Sequence, residues 1–412
     1  MLDKFKTDNK WYVVGLGTLT LMLVPSLSEM CMAVLFKEIS AELELNLVEI
    51  GLVWGITPFA SLLILFIGGL LADRYGSRRT LILTCFLVGI FGALRGIAWN
   101  FISLTIFAFL VGMSTSITII AIMKVATIWF SGKKLGVANG ILATGMGLGF
   151  TIASMISATV LSPLLGGWRH VLFLYGALSI IVSLAWYITV KEIGQESSTK
   201  TDETMPFRQS ISHVIHIRAV WFIGLTLFGI VGCFRGMLGY LSIYLQNSGW
   251  TTTSADGSVA AITGIGTLGS IPVTLLAARL GSIKKVMIPY LVVVIIGVAL
   301  MSLINGPAIW IIILLVGVGR DGMMALCMTM STETEGIGKD YSGAALGFMQ
   351  SIGRIGPFIS PPLGNSLASI SPGAPFLIWS AFAFVALVNS FFIRRKRSIA
   401  SSIEPIMPAT GS

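Results

Sequence analysis

Twelve apolar runs fill the chain almost from end to end, at roughly 11–36, 48–72, 79–99, 101–130, 135–163, 169–190, 217–246, 254–279, 284–304, 306–330, 341–369 and 372–393. A helix needs about 20 apolar residues to cross the hydrocarbon layer of a bilayer, so each run is a candidate span. A segment in lipid must satisfy its own backbone hydrogen bonds, which leaves the α-helix as the form such runs can take. With 55% hydrophobic and only 11% charged residues, the 412-residue chain has too little polar side chain to coat a water-soluble body. The expected fold class is an all-α membrane protein with twelve transmembrane helices.

The net charge of +9 would suit a nucleic-acid partner only if it were gathered on one solvated face. It is sorted by loop instead. Lys4, Lys6, Lys10, Arg74, Arg78, Arg79, Lys133, Lys134, Arg279, Lys284, Lys285 and the run Arg394 to Arg397 fall in one alternating set of loops and in the tails, whereas the opposite set holds only Lys37 and Arg169. Basic loops stay in the cytoplasm, so both termini are expected there, in an inner membrane, which requires an even number of spans. No small-residue cleavage site follows the first run, which is expected to be retained. The four cysteines form no CxxC or Cys/His cluster, so they read as core residues, with no metal and no cofactor. The chain also lacks a GxxxxGK[ST] loop for nucleotide-driven pumping, and it is not expected to be an enzyme.

Val190 to Ser210, rich in Ser, Thr and charge, separates the sixth run from the seventh. The expected organisation is an N-terminal six-helix bundle over 1–190, a cytoplasmic linker over 191–216, and a C-terminal six-helix bundle with a cytoplasmic tail over 217–412. An internal repeat supports this division. Leu71-Ala-Asp-Arg-Tyr-Gly-Ser77 returns as Leu276-Ala-Ala-Arg-Leu-Gly-Ser282, Leu110-Val-Gly112 as Leu315-Val-Gly317, and Gly136-x-Ala-x-Gly140 as Gly343-x-Ala-x-Gly347, at offsets of 205, 205 and 207. A near-constant shift at three separate places implies two pseudo-symmetric halves.

Gly69-Leu-Leu-Ala-Asp73-Arg74-Tyr-Gly76-Ser-Arg78-Arg79, between the second and third runs, resembles the signature loop of the major facilitator superfamily. The resemblance implies a loop that latches one half against the other and gates the cytoplasmic side, with Gly69, Asp73, Arg74, Gly76, Arg78 and Arg79 as gating residues. The second copy has Ala278 where Asp73 stands. Drug antiporters of the superfamily usually carry an Arg four residues before a Gly in the fourth span, where this chain has Ala108 before Gly112, and a Gly-Pro pair in the fifth, which is missing here.

Ionisable residues inside spans are costly and normally serve function. The sequence places five cations there, Arg95, Lys124, Arg235, Arg320 and Arg354, and among acids Glu29 and Asp321. Arg95 and Lys124 stand near span ends, where long side chains can reach the headgroups. Lys124 keeps interest as a substrate-binding candidate because organic-anion transporters of the superfamily often carry a cation at that place. Arg235, Arg320 and Arg354 are deeper, and neighbours in a helix diverge by about 100°, so Arg320 and Asp321 are expected to pair elsewhere. Glu29 with Arg235, between the halves, and Asp321 with Arg354 are the expected pairs. Deep cations outnumber carboxylates, which favours a small-molecule anionic substrate held by Arg forks. Asp321 and Glu29 are the candidates for carrying a proton. The expected function is alternating-access, proton-coupled symport of a small organic anion of carboxylate type by a monomer in membrane lipid. Efflux of drugs or metabolites by an antiporter, and a receptor on a transporter fold without flux, are the alternatives.

Overall fold

The computed structural model describes residues 9–190, 212–304, 306–333 and 341–393, so most of the expected linker, residues 191–211, lies outside the described residues. The first half consists of α1 (Lys10–Leu43), α2 (Leu47–Tyr75), α3 (Ser77–Leu94), α4 (Phe101–Trp129), α5 (Lys134–Leu165) and α6 (Trp168–Thr189). The second consists of α7 (Arg218–Asn247), α8 (Thr252–Arg279), α9 (Ile283–Leu300), α10 (Ile309–Met330), α11 (Ser342–Ser366) and α12 (Ala374–Phe392). Eleven of these are long and apolar enough to qualify as spans on those grounds alone. The twelfth, α11, carries Arg354, Pro357, Pro361 and Pro362, which dilute its apolar character while it packs between α2 and α7. We call the end where the chain enters α1 and leaves α12 the terminal end, and the other the distal end.

Local chemistry explains where the helices start and break. Asn46 and Glu49 form a reciprocal cap on α2, with Glu49 N–H donating to Asn46 Oδ1 at 3.0 Å and Asn46 N–H to Glu49 Oε2 at 2.9 Å. Asn100 and Ser103 repeat the device on α4, and Thr251 caps α8. Gly76, at φ +81°, makes the sharp corner between α2 and α3 that a side chain would resist. Two helices loosen into π turns, α1 over Met22–Ser26 around Pro25 and α5 over Ser157–Leu161.

The repeat seen in the sequence is a repeat of contacts. A Cβ on Gly112 would meet Thr57 O at 2.7 Å, and a Cβ on Gly317 would meet Ile262 Cα at 3.2 Å, so α4 approaches α2 as α10 approaches α8. Gly149 likewise lets α5 touch α1 at Met22, and Gly356 lets α11 touch α7 at Phe228. Between halves, α2 packs on α11 and α5 on α8. Gly51 and Gly55 lie against the backbone of Pro362 and Phe358, and Asn365 Nδ2 donates to Leu47 O at 2.8 Å, so this seam is tight toward the distal end. On α5 the seam runs from Gly147 on Thr267 to Thr151 facing Thr263, while Gly136 and Gly140, nearer the terminal end, face open space. All four cysteines are buried and free, as core residues should be.

Candidate functional site: a guanidinium cluster at the seam

Glu29 stands just past the π turn of α1. Its carboxylate accepts a hydrogen bond from Arg235 on α7, forming the expected ion pair between the halves. Arg235 is further held by Trp54 of α2. Its guanidinium lies 3.4 Å from the indole centroid, Nη2 donates to Trp54 O at 2.8 Å, and Trp54 Nε1 donates back to Arg235 O at 2.8 Å. Gly239, one turn along α7, leaves the space into which the indole fits. Arg354 on α11 lies close enough to Glu29 to feel its charge, and its buried Nε has no hydrogen-bond partner among the described residues.

Arg320 and Asp321 depart from expectation. Helix α10 is broken at Val318–Gly319, directly before them, where the Tyr290 ring packs on Gly319 and the Tyr290 hydroxyl donates to Val316 O. At this fresh helix start Arg320 Nε turns back to Asp321 Oδ1 at 3.3 Å, and Thr267 Oγ1 donates to Asp321 Oδ2 at 3.2 Å. The expected pairing of Asp321 with Arg354 is not formed. Arg320 is near enough to Arg235 for the two charges to repel, so both belong to one electropositive region.

Arg95 also departs from expectation, because it does not reach for the headgroups. It is 3% exposed and turned inward, with Nη2 donating to Ser28 Oγ at 2.7 Å and a buried Nε without a partner among the described residues. Glycines flank it. Gly89 in α3 and Gly96 in the turn after it let this segment approach α6 closely at Gly176 and Phe173, on either side of Arg95 in the chain. That glycine spacing around Arg95 was the available signal. Arg95 shares a narrow cavity with Glu29, Met32, Val53, Trp54, Thr57, Ala108, Val111 and Thr115, with room for little more than a water molecule. A further acid, Asp256 on α8, is fully buried, accepting from Ser242 Oγ at 2.6 Å; its place near the start of the span had hidden it.

Lys124 stands apart, nine residues beyond Thr115 toward the terminal end of α4 and part-buried there. In the signature loop, Arg78 Nη2 donates to Tyr187 O at 2.7 Å and its guanidinium lies over the Tyr187 ring, a contact within the first half. Arg74 and Arg79 are exposed, and Arg74 lies over the Tyr75 ring. Gly69 and Asp73 are on α2, but the Asp73 side chain lies outside the described residues. Among the described residues, no three His, Cys, Asp or Glu converge to hold a metal.

Residues 18–361 match the family model described as Major Facilitator Superfamily, a match that covers both halves of the bundle. The chain belongs to that superfamily. In line with it, the chain is similar to a "Probable galactarate/D-glucarate transporter" of Escherichia coli (strain K12), 29% identical over 161 residues, 36% of this chain and 34% of that relative. It is similar to a gentisate transporter of Corynebacterium glutamicum, 24% identical over 345 residues, 80% of this chain and 76% of the relative. The chain thus spans about a third of the former relative and three quarters of the latter. Among solved structures of the same fold, a bacterial homologue of the human lysosomal transporter Spinster superposes with a TM-score of 0.73 at 16% identity, covering 94% of this chain and 95% of that one. The nucleoside transporter NupG gives 0.74 at 16% identity, with 93% and 98% covered. Superfamily membership makes this chain a transporter and not an enzyme.

Proposed function

We propose that this protein is a secondary active transporter that carries a small organic anion of carboxylate type by alternating access, coupled to protons in symport. The observation that carries the reading is the gathering of Arg235, Arg320 and Arg354 near the seam against only Glu29 and Asp321. Part-buried guanidinium groups in excess need an anion, and a planar carboxylate fits the Arg fork. The superfamily relatives named for sugar acids and gentisate support the same substrate class. An amphiphilic drug would leave the excess cation without a counter-charge, which counts against efflux.

In this reading the terminal end is cytoplasmic, in an inner membrane, because the basic residues gather there. The two bundles, 1–190 and 217–412, rock about the seam on the linker 191–216, and one chain suffices for transport. The loop containing Gly69, Asp73, Arg74, Gly76, Arg78 and Arg79 gates that end, Lys124 guides the anion between gate and cluster, and a proton rides on Asp321 or Glu29. The test is uptake of labelled D-glucarate and gentisate by proteoliposomes with an imposed pH gradient, beside counterflow without one. Wild-type protein should accumulate at least one anion only with the gradient. Asp321→Asn or Glu29→Gln should keep counterflow and lose accumulation. Gradient-driven accumulation intact in both variants would remove proton coupling at these carboxylates, and no flux of either anion would count against this substrate class.

A further inference from the structure

The Glu29–Arg235 pair joins the two halves, so any rotation that parts the seam at this depth must break it. Breaking a part-buried ion pair strands its charges in a poorly solvated place, and the barrier grows accordingly. Arg235 leaves with the second half, as does Arg354, the other second-half guanidinium near Glu29. Glu29 stays with the first half and needs a cation there.

Arg95 meets that need. It belongs to the first half, is 3% exposed, and touches Ser28, the residue next to Glu29 in the chain. Its Nε is buried and has no partner among the described residues, and Glu29 is near enough for its charge to act on it. The other ionisable group beside it, Cys31, is a buried thiol that donates to Ser28 O at 3.6 Å and offers no carboxylate. The cavity that Arg95 shares with Glu29 is too small for a substrate, and both side chains line it.

We propose that Arg95 is the second docking site for the Glu29 carboxylate, which passes from Arg235 to Arg95 as the halves part at the distal end. The transfer leaves Arg235 free to accept a substrate carboxylate, so Glu29 and substrate compete for one guanidinium. The carboxylate stays paired in both states, so the seam opens without stranding Glu29. Arg95 therefore acts through Glu29 as a positioning residue. This rests on the proposed alternation of the halves.

The experiment reads the seam directly and needs no substrate. Spin labels at Leu164→Cys and Leu303→Cys, exposed positions at the distal ends of the two halves, report the open fraction in lipid nanodiscs by pulsed dipolar distance measurement. Arg95→Gln should lower the open fraction by about fivefold or more, since Glu29 then has only Arg235. Glu29→Gln should raise it, and adding Arg95→Gln to Glu29→Gln should change it by less than about twofold. Arg95→Lys, which keeps a charge, should lie between wild type and Arg95→Gln. An equal loss on adding Arg95→Gln in both backgrounds would make Arg95 a structural residue and overturn the transfer. A wild type that opens together with an Arg95→Gln variant that opens equally would overturn it while leaving alternation standing. A seam closed in wild type and in Glu29→Gln alike would overturn both.

Discussion

The two halves are built alike and charged differently. Each ties its loop to the end of its last helix with a cation: Arg78 donates to Tyr187 O at the end of α6, and Lys284 donates to Phe391 O, at 2.8 Å, at the end of α12. Each also packs its fourth helix on its second through a glycine, Gly112 or Gly317. At the seam the likeness stops. Where the repeat gives the first half Thr115, Ser116 and Gly147, the second has Arg320, Asp321 and Arg354, while Glu29 is answered within a residue by Arg235. The scaffold, which must pack the same way twice, is shared; the site, which must bind something asymmetric, is not.

The largest expected effect comes from unpairing the halves. Arg235→Gln should cost about 1.5–3 kcal/mol by removing the charge-assisted hydrogen bond that ties the halves at Glu29, read as a fall in denaturant stability in nanodiscs. Adding Glu29→Gln should return more than half of it. Independent, additive losses would show that the pair does not bind the halves together.

A smaller effect comes from the close-packed part of the seam. A Cβ on Gly55 would sit 2.5 Å from the Phe358 carbonyl oxygen, whereas one on Gly140 would meet nothing within 4 Å. Gly55→Ala should therefore destabilise distal closure by about 1–3 kcal/mol and slow transport, and Gly140→Ala should match wild type. Equal behaviour of the two variants in melting and uptake would contradict the packing contrast described above.

The smallest effect tests the shared feature. Arg78→Ala and Lys284→Ala each remove a cation from a helix C-terminus and should each cost about 0.3–1 kcal/mol. The two melting shifts should agree closely and shrink in high salt. A much larger loss for Arg78→Ala, with transport abolished, would give the first loop a role its counterpart lacks.

The twelve spans, the two halves and the Glu29–Arg235 pair were legible in the sequence because lipid punishes polar backbone and buried charge alike, so both leave marks in the pattern of residues. Arg95 was not legible as a buried group, since its position near a span end suits snorkelling equally well; its hydrogen bond to Ser28 decides the matter. The Arg320–Asp321 contact was hidden because periodicity assumes an unbroken helix, and the break at Val318–Gly319 is held by Tyr290 from another helix. Asp256 escaped notice because it lies close to a span end, where an acid normally meets water, although here Ser242 of α7 receives it.

By itself, then, the sequence determined the number of helices and the twofold plan, because hydrophobic length and repeat spacing are properties of one strand of chain. Only the tertiary structure decided how the other buried charges are placed. The contact of Asp321 with Arg320 and the inward turn of Arg95 onto Ser28 depend on how α1, α3 and α10 turn their faces and where they bend. Those rotations are set by glycine and aromatic contacts between helices far apart in the chain, and residue order carries no record of them until the helices are packed.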